Sequence, residues 1–233
     1  MIITKQIEVP DWKATENGIV LEVTQETEPE DPRQWDNFGK MVCWHNGYKL
    51  GDRKIDGQSG LDSVLIEILD EKFNFTCEQK ENILYYADTR LLLSTIRKHT
   101  GGLVLPLYLY DHSGLSMSTS NRMYSMMDSA GWDWGTVGII YATEKDIEKE
   151  YGSICEETLN KARDCLEQEV KTYDLYLKGE SYWYRIYDSK TGETIDSCGG
   201  FLTDSETDLK EMLKYNVPEE YTGLVDKLES CSY

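Results

Sequence analysis

Residues 103–119 read LVLPLYLYDHSGLSMST, and this stretch decides where the predicted sheet ends. The apolar run Leu103–Tyr110 has the length of a strand, and its continuity predicts burial on both faces. The segment Asp111–Gly114, DHSG, follows it without a break. Asp, His and Ser serve acid–base, metal and nucleophilic chemistry, whereas Asp, Ser and Gly are also the residues that tight turns require. The end of this strand is therefore either an active site or a turn.

A catalytic interpretation depends on His112, because the chain has only three histidines. His45 ends another predicted strand, so pairing of the two strands would bring both imidazoles together. Cys43, His112 and Asp111 would then supply a nucleophile, a base and an orienting carboxylate. A zinc ion would instead take Asp52 together with Cys43 and the two histidines. Neither set has the spacing of a motif with an established mechanism.

The turn interpretation explains the same segment with fewer assumptions. Asp111 and Ser113 cap a turn that Gly114 permits, and His112 hydrogen-bonds to nearby backbone. We favour this interpretation and assign no catalytic residue. The candidates that remain for chemistry are Asp111, His112, Cys43 and His45.

The charge of the chain restricts its partners. The 233 residues include 43 acidic and 24 basic side chains, a net charge of -19. Phosphate backbones and anionic lipid headgroups repel such a surface, which argues against direct binding of nucleic acid or membrane. A basic protein surface would attract it. The alternative interpretation is that the acidic excess only keeps the chain in solution.

The N-terminal sequence and the cysteines predict a cytoplasmic protein. No apolar run approaches the ~20 residues that span a bilayer, and residues 1–13 lack the pattern of a signal peptide. The six cysteines are scattered without a C-x-x-C pair, which is typical of free thiols. Because the chain also lacks phosphate-binding glycine motifs, we expect no cofactor, and we assign no metal-ligating residue; the sequence leaves open whether a metal is bound.

Hydrophobic periodicity predicts one α+β domain over residues 1–233, with an antiparallel or mixed sheet and two to four helices, one of them long and acidic. Strand patterns lie at 2–8, 18–24, 38–45, 103–110, 137–142, 182–187 and 193–198. Helical patterns lie at 61–69, 78–98, after the capping residue Thr143, at 154–178 and at 205–214. A turn is predicted at 11–17, exposed loops at 25–37 and 51–60, and a weakly structured or short helical tail at 218–233.

The long helix is one candidate for partner binding, because carboxylates recur along it. The four that we select are Glu156, Glu157, Asp164 and Glu167. Rows of carboxylates on a rigid scaffold imitate the spacing of phosphates and would occupy a basic nucleic-acid channel. A solvated helix face with interspersed lysines and arginines explains the same pattern more simply.

A second candidate is residues 128–138, DSAGWDWGTVG, which combine Trp132 and Trp134 with three glycines. The preceding polar segment contains methionines at 117, 123, 126 and 127. Exposed Met and Trp side chains would form an adaptable contact surface for a partner. The same residues would equally suit the edge of an aromatic core, and the sequence does not separate these two interpretations.

Four segments carry a resemblance to a known group of proteins. They are DPRQWDNFGKMVCWHNGYKLGD, LPLYLYDHSGLSMSTS, WDWGTVGIIYATEKDIEKEYG and YDLYLKGESYWYRIYD. Between about Asp31 and Phe201 the chain resembles a largely uncharacterised family carried by phages, prophages and conjugative elements of bacteria. The resemblance implies no catalytic residues. It implies a genomic context in which small acidic proteins often counter host defence, including restriction enzymes and CRISPR effectors.

Three functional hypotheses follow. The first is that the protein binds and blocks a basic, nucleic-acid-handling host defence protein, such as a CRISPR effector or a restriction enzyme. The alternative is a small intracellular enzyme or metal-binding protein that uses Asp111 and His112 with Cys43 and His45. The third is an accessory protein of a mobile element without a defence target.

Overall fold

Two five-stranded sheets organise the chain in the computed structural model, which describes residues 10–231. The chain forms two compact units. The terminal unit combines the described residues up to Asp31 with those from Leu175 onward, and the central unit is Pro32–Asp174. The predicted strand at 2–8 lies outside the described residues.

The bounds of the elements in the described residues are as follows. The strands are β1 (Trp12–Glu16), β2 (Ile19–Gln25), β3 (Lys40–Cys43), β4 (Arg53–Lys54), β5 (Leu103–Asp111), β6 (Leu115–Ser118), β7 (Trp134–Ala142), β8 (Ser181–Asp188), β9 (Thr194–Leu202) and β10 (Glu229–Ser230). The helices are α1 (Gly57–Phe73), α2 (Cys77–Tyr86), α3 (Thr89–His99), α4 (Arg122–Met127), α5 (Glu144–Tyr151), α6 (Glu156–Lys178), α7 (Glu206–Asn216) and α8 (Thr222–Val225).

The sheet of the terminal unit is antiparallel, with strand order β10-β1-β2-β8-β9. Leu21 and Tyr184 from the sheet join Leu213 from α7 in its buried core. The turn predicted at 11–17 is wrong, because most of that stretch forms β1. The chain reverses instead at Asn17-Gly18, where both residues have the positive φ that a tight two-residue hairpin requires.

The sheet of the central unit is mixed, with strand order β4-β3-β7-β5-β6, and only the β3–β4 pair is parallel. On one face, Val42 and Ile139 join α1 and α3 in a buried cluster. On the other face lies α6, whose Leu166 approaches Gly39 beside Ile140. Helices therefore pack on both faces of this sheet and position its end.

A mixed helix-and-strand fold is confirmed, but the number of helices was underestimated, since the described residues contain eight. The helix predicted at 78–98 is two helices, because the Asp88 carboxylate accepts the Leu91 N–H at 2.8 Å and starts α3 as a new cap. The loop predicted at 51–60 instead contains β4 and the start of α1.

Local signals gave accurate predictions for other elements. Thr143 and Asp146 form the capping box that starts α5, and Ser205 caps α7. The predicted acidic helix at 154–178 is α6. Within residues 10–231, no helix has the length and apolar character needed to cross a membrane.

Candidate functional site

A cleft of about 560 Å³, which we call the tryptophan cleft, opens where β3 and β5 end and β7 begins. Three tryptophans and three aspartates share its lining: Trp44, Trp132, Trp134, Asp56, Asp111 and Asp133. Lys54 and His45 also line it. The cleft therefore combines aromatic faces with more negative than positive charge.

The loop between α4 and β7 is fixed by one carboxylate. We call residues 128–134 the Trp132 loop. Asp128 accepts four consecutive backbone N–H groups, two on each oxygen, at 2.6 to 3.1 Å; they belong to Ala130, Gly131, Trp132 and Asp133. The hydrogen bonds from Asp133 and the other three amides hold the pKa of Asp128 below its ordinary value. The backbone of the loop is thus ordered by its own sequence.

The two tryptophans of the loop have different environments. Trp134 is half-buried, and its indole N–H donates to the Asp128 carbonyl at 2.8 Å. Trp132 is 87% exposed, although the backbone N–H of the same residue is one of those bound by Asp128. A large apolar side chain on a fixed backbone loses little conformational entropy when a partner covers it.

Helix α4, which leads into the loop, exposes three methionines on its outer surface, beside Arg122 at its start. Its Tyr124 is buried, whereas Met123, Met126 and Met127 are exposed. Met117 differs from these three because it lies in β6 and is buried. The contact-surface interpretation thus fits the three methionines of α4 and Trp132, and the core interpretation fits Met117.

The DHSG segment forms the hairpin turn between β5 and β6. The residue with the left-handed backbone is Ser113, at φ 58°, and not Gly114 as the sequence suggested. The His112 backbone N–H donates to the Gly114 carbonyl at 3.2 Å. The His112 side chain is directed to a carboxylate, with 3.1 Å between its Nδ1 and Oδ2 of Asp133. The Asp111 side chain accepts a long hydrogen bond of 3.4 Å from the Tyr48 hydroxyl.

Cys43 has the environment of a core residue. It is 1% exposed and lies beside Gly51 and Gly138. Burial raises the pKa of its thiol to about 12. Since the thiolate is the nucleophilic form, this geometry disfavours the Cys43-based chemistry that the sequence left open.

His45 lines the cleft, but its side chain is engaged in hydrogen bonds of the local turn. Its Nδ1 accepts the backbone N–H groups of Gly47 and Tyr48, both at 3.1 Å, and its ring stacks on Tyr48. Asp52, the fourth ligand of the zinc hypothesis, binds Arg33 instead. Over the described part of the chain, no group of three or more His, Cys, Asp or Glu side chains is placed to hold a metal ion.

The acidic candidates of α6 lie elsewhere in the central unit. All four are exposed on the helix: Glu156, Glu157, Asp164 and Glu167. Glu157 pairs with Lys161 at 2.6 Å, as a solvated helix face would. Glu156 and Glu167 line a second groove, of about 1030 Å³, between α3, β5 and α6. None of the described residues that line this groove also lines the tryptophan cleft.

Sequence reasoning missed an ion cluster around a buried arginine, which we call the Arg33 hub: Arg33, Asp52 and Glu169. Arg33 is 6% exposed, and its guanidinium donates two hydrogen bonds to Asp52, at 2.8 and 2.9 Å, and one to Glu169 at 2.8 Å. It also donates to the Gly39 carbonyl at 2.7 Å. Burial lowers the pKa of Arg33, but hydrogen bonds to the two carboxylates outweigh it and raise the pKa above its ordinary value. Arg33 and Pro32 are buried, so the exposed loop predicted at 25–37 is wrong there.

Comparison of the chain with protein-family models, with curated proteins and with solved structures finds no match. The resemblance to a family of phages and mobile elements stays a prediction. Function is therefore inferred from the geometry described above.

Proposed function

We propose that this protein is a binding protein that attaches to a basic surface of another protein through the Trp132 loop and the outer surface of α4. The observation that carries the proposal is the 87% exposure of Trp132 on a backbone that Asp128 holds with four hydrogen bonds. Tryptophan is enriched among the residues that dominate the energy of protein interfaces, because a partner can desolvate its large surface. Three exposed methionines in the adjacent helix extend this contact surface.

Charge defines the class of partner. The chain carries a net charge of -19, and the tryptophan cleft has three aspartates against one lysine in its lining. A partner with a basic surface would be attracted at long range and would bind more weakly as salt screens the charges. A neutral or acidic partner would gain nothing from this charge distribution.

The finer part of the proposal is that the partner handles nucleic acid and belongs to a host defence system, and that binding blocks it. Proteins that bind phosphate backbones carry the lysine and arginine surfaces that would attract this chain. The exposed carboxylates of α6 would compete there with phosphates. The resemblance of the sequence to phage and mobile-element proteins supports the same direction.

The test is affinity capture from a bacterial lysate with the wild type and two variants. Trp132→Ala removes the exposed indole, and Tyr215→Ala is its matched control, since Tyr215 is an aromatic residue of α7 that is 90% exposed. We expect a basic protein that is captured at low salt, eluted at high salt, retained by Tyr215→Ala and lost with Trp132→Ala. Capture that is insensitive to both salt and Trp132→Ala would contradict the proposal.

The finer proposal needs a second step with the captured protein in purified form. Its affinity for a labelled nucleic acid is measured with and without saturating amounts of this chain. We expect loss of nucleic-acid binding in the presence of the wild type and not of Trp132→Ala. A ternary complex of the partner, this chain and the nucleic acid would overturn the blocking role while leaving the binding role intact.

A further inference from the structure

We infer that the cleft lined by Trp132 receives the guanidinium group of an arginine side chain from the partner. This inference rests on the proposed function, because it specifies what the partner presents at the site. It concerns the chemistry of one cleft, however, and it is testable with a short peptide before any partner is known.

The aromatic lining provides the first argument. Trp44, Trp132 and Trp134 all contribute to one cleft of about 560 Å³. Indole rings attract cations through the negative potential of their faces, and tryptophan does so most strongly. A planar guanidinium also stacks on an indole, which a compact ammonium cannot do.

The carboxylates provide the second argument. Asp56, Asp111 and Asp133 line the same cleft, against Lys54 as the only lysine or arginine among its described lining residues. A guanidinium presents five N–H donors in a fixed fork, which matches carboxylate geometry. Aromatic faces and carboxylates in one cleft therefore favour arginine over an apolar or anionic side chain.

The surroundings indicate that the cation comes on a macromolecule. The volume of the cleft, about 560 Å³, lies within the range of roughly 300–1,000 Å³ that is typical of ligand sites. Met123, Met126 and Met127 precede the Trp132 loop and are 58%, 78% and 62% exposed. A small cation would leave this apolar surface in water, whereas a protein would cover it.

The proposal is tested by NMR titration of the ¹⁵N-labelled full chain. Its six tryptophans give six indole N–H signals, and Trp132→Phe assigns the signal of Trp132. The probes are Ac-Gly-Arg-Gly-NH₂, the same peptide with lysine, and the same peptide with citrulline, which keeps the shape of arginine without its charge. We expect the arginine peptide to shift the Trp132 and Trp44 signals, the lysine peptide to bind several-fold more weakly, and the citrulline peptide to cause no shift.

A double variant, Asp111→Asn with Asp133→Asn, tests the role of the carboxylates. We expect it to weaken binding of the arginine peptide about tenfold or more. Asp204→Asn is the control, because Asp204 is an exposed carboxylate that does not line the cleft. Asp174→Asn would not be suitable, because the Asp174 carboxylate accepts the Met117 backbone N–H. Unchanged affinity in the double variant, or equal shifts with the arginine, citrulline and lysine peptides, would overturn the inference.

Failure of this inference is distinguishable from failure of the proposed function. A captured partner that is lost with Trp132→Ala but retained by the Asp111→Asn/Asp133→Asn variant would overturn arginine recognition and leave the binding role standing. If the arginine peptide binds but does not compete with the captured partner, the partner does not occupy the cleft, and the inference as stated is overturned.

Discussion

The Arg33 hub and the Trp132 loop both depend on carboxylates that accept backbone N–H groups, yet they serve different purposes. In the hub, Glu169 accepts the amides of Phe38 and Gly39 and also binds the Arg33 guanidinium, and almost all of this is buried. In the loop, Asp128 orders the backbone around a side chain that remains in water. The first arrangement pairs a buried charge within the chain, and the second leaves most of an apolar side chain in water.

This difference indicates that, in the central unit, the Arg33 hub stabilises the fold and the Trp132 loop is available for binding. A buried cation that is paired with carboxylates of its own chain is costly to remove but is not available to a partner protein. An exposed indole costs nothing to remove from the isolated protein, since it makes little contact there. Mutation of the hub should therefore change the free energy of unfolding, and mutation of the loop should change the free energy of binding.

The largest expected effect is on the hub. Arg33→Met leaves the largely buried Glu169 carboxylate without its cation, and breaking such a pair from one side costs about 3–5 kcal/mol of unfolding free energy, to which the more exposed Asp52 adds little. Urea unfolding followed by tryptophan fluorescence measures this loss. Arg122→Met is the matched control, because Arg122 is exposed on α4. A loss below about 1 kcal/mol in Arg33→Met would show that the hub is not a stabilising element.

The second effect has the opposite signature. Trp132→Ala should change the unfolding free energy by no more than about 0.5 kcal/mol, as for other exposed positions. The same variant should lose about 2 kcal/mol or more of binding free energy, about 30-fold in affinity for the partner. Urea unfolding and a binding titration with the captured partner give the two values. A large loss of stability would mean that the indole packs internally, contrary to this account.

A smaller effect concerns the order of the loop and its dependence on pH. The pKa of Asp128 in the folded protein lies below the ordinary value of 3.8, so its stabilising contribution is complete above that value and is lost as the pH falls through the lower folded pKa. We expect the amide signals of Ala130 and Trp132 to stay unchanged from pH 7 to about pH 4 and to shift only below 3.8. In Asp128→Ala the same signals should move already at pH 7. A midpoint above 3.8 would contradict the hydrogen-bonded carboxylate.

The smallest effect is expected from the acidic side chains of α6. The combined variant Glu156→Gln, Glu157→Gln, Asp164→Asn and Glu167→Gln should leave the thermal midpoint within about 2 °C of the wild type, because these side chains are exposed. It should slow association with the partner several-fold at low salt and have little effect at high salt. Surface plasmon resonance at two salt concentrations measures this. An equal loss at both salt concentrations would mean that these residues form direct contacts.

Much of the fold was accessible from the sequence because its signals are local. The capping residues Thr143 and Ser205 were accurate guides because each cap involves residues only three positions apart. The hub could not be predicted from the sequence, because Arg33 binds Asp52 and Glu169 across separations of 19 and 136 residues. No local sequence pattern predicts such a contact, and for this reason the polar composition of residues 25–37 predicts an exposed loop although Arg33 is buried.

The candidate site was predictable only in part, for a related reason. Trp132 and Trp134 were identified as interaction candidates, but a Trp- and Gly-rich stretch fits both a core edge and a contact surface. The structure separates them through Asp128, which binds the indole N–H of one with its carbonyl and the backbone of the other with its carboxylate. The bonds from Ala130 and Gly131 to Asp128 have the spacing of an Asx turn, but those from Trp132 and Trp134 lie four and six positions away, beyond that local pattern.

The central claim is that Trp132 is held ready for a partner and contributes to little else. The most direct test is capture of the partner by equal amounts of folded wild type, Trp132→Ala and Tyr215→Ala at low salt, with quantification by mass spectrometry. We expect Trp132→Ala to retain less than about one tenth of the partner and Tyr215→Ala to retain nearly all of it. Equal recovery with all three proteins would contradict the account.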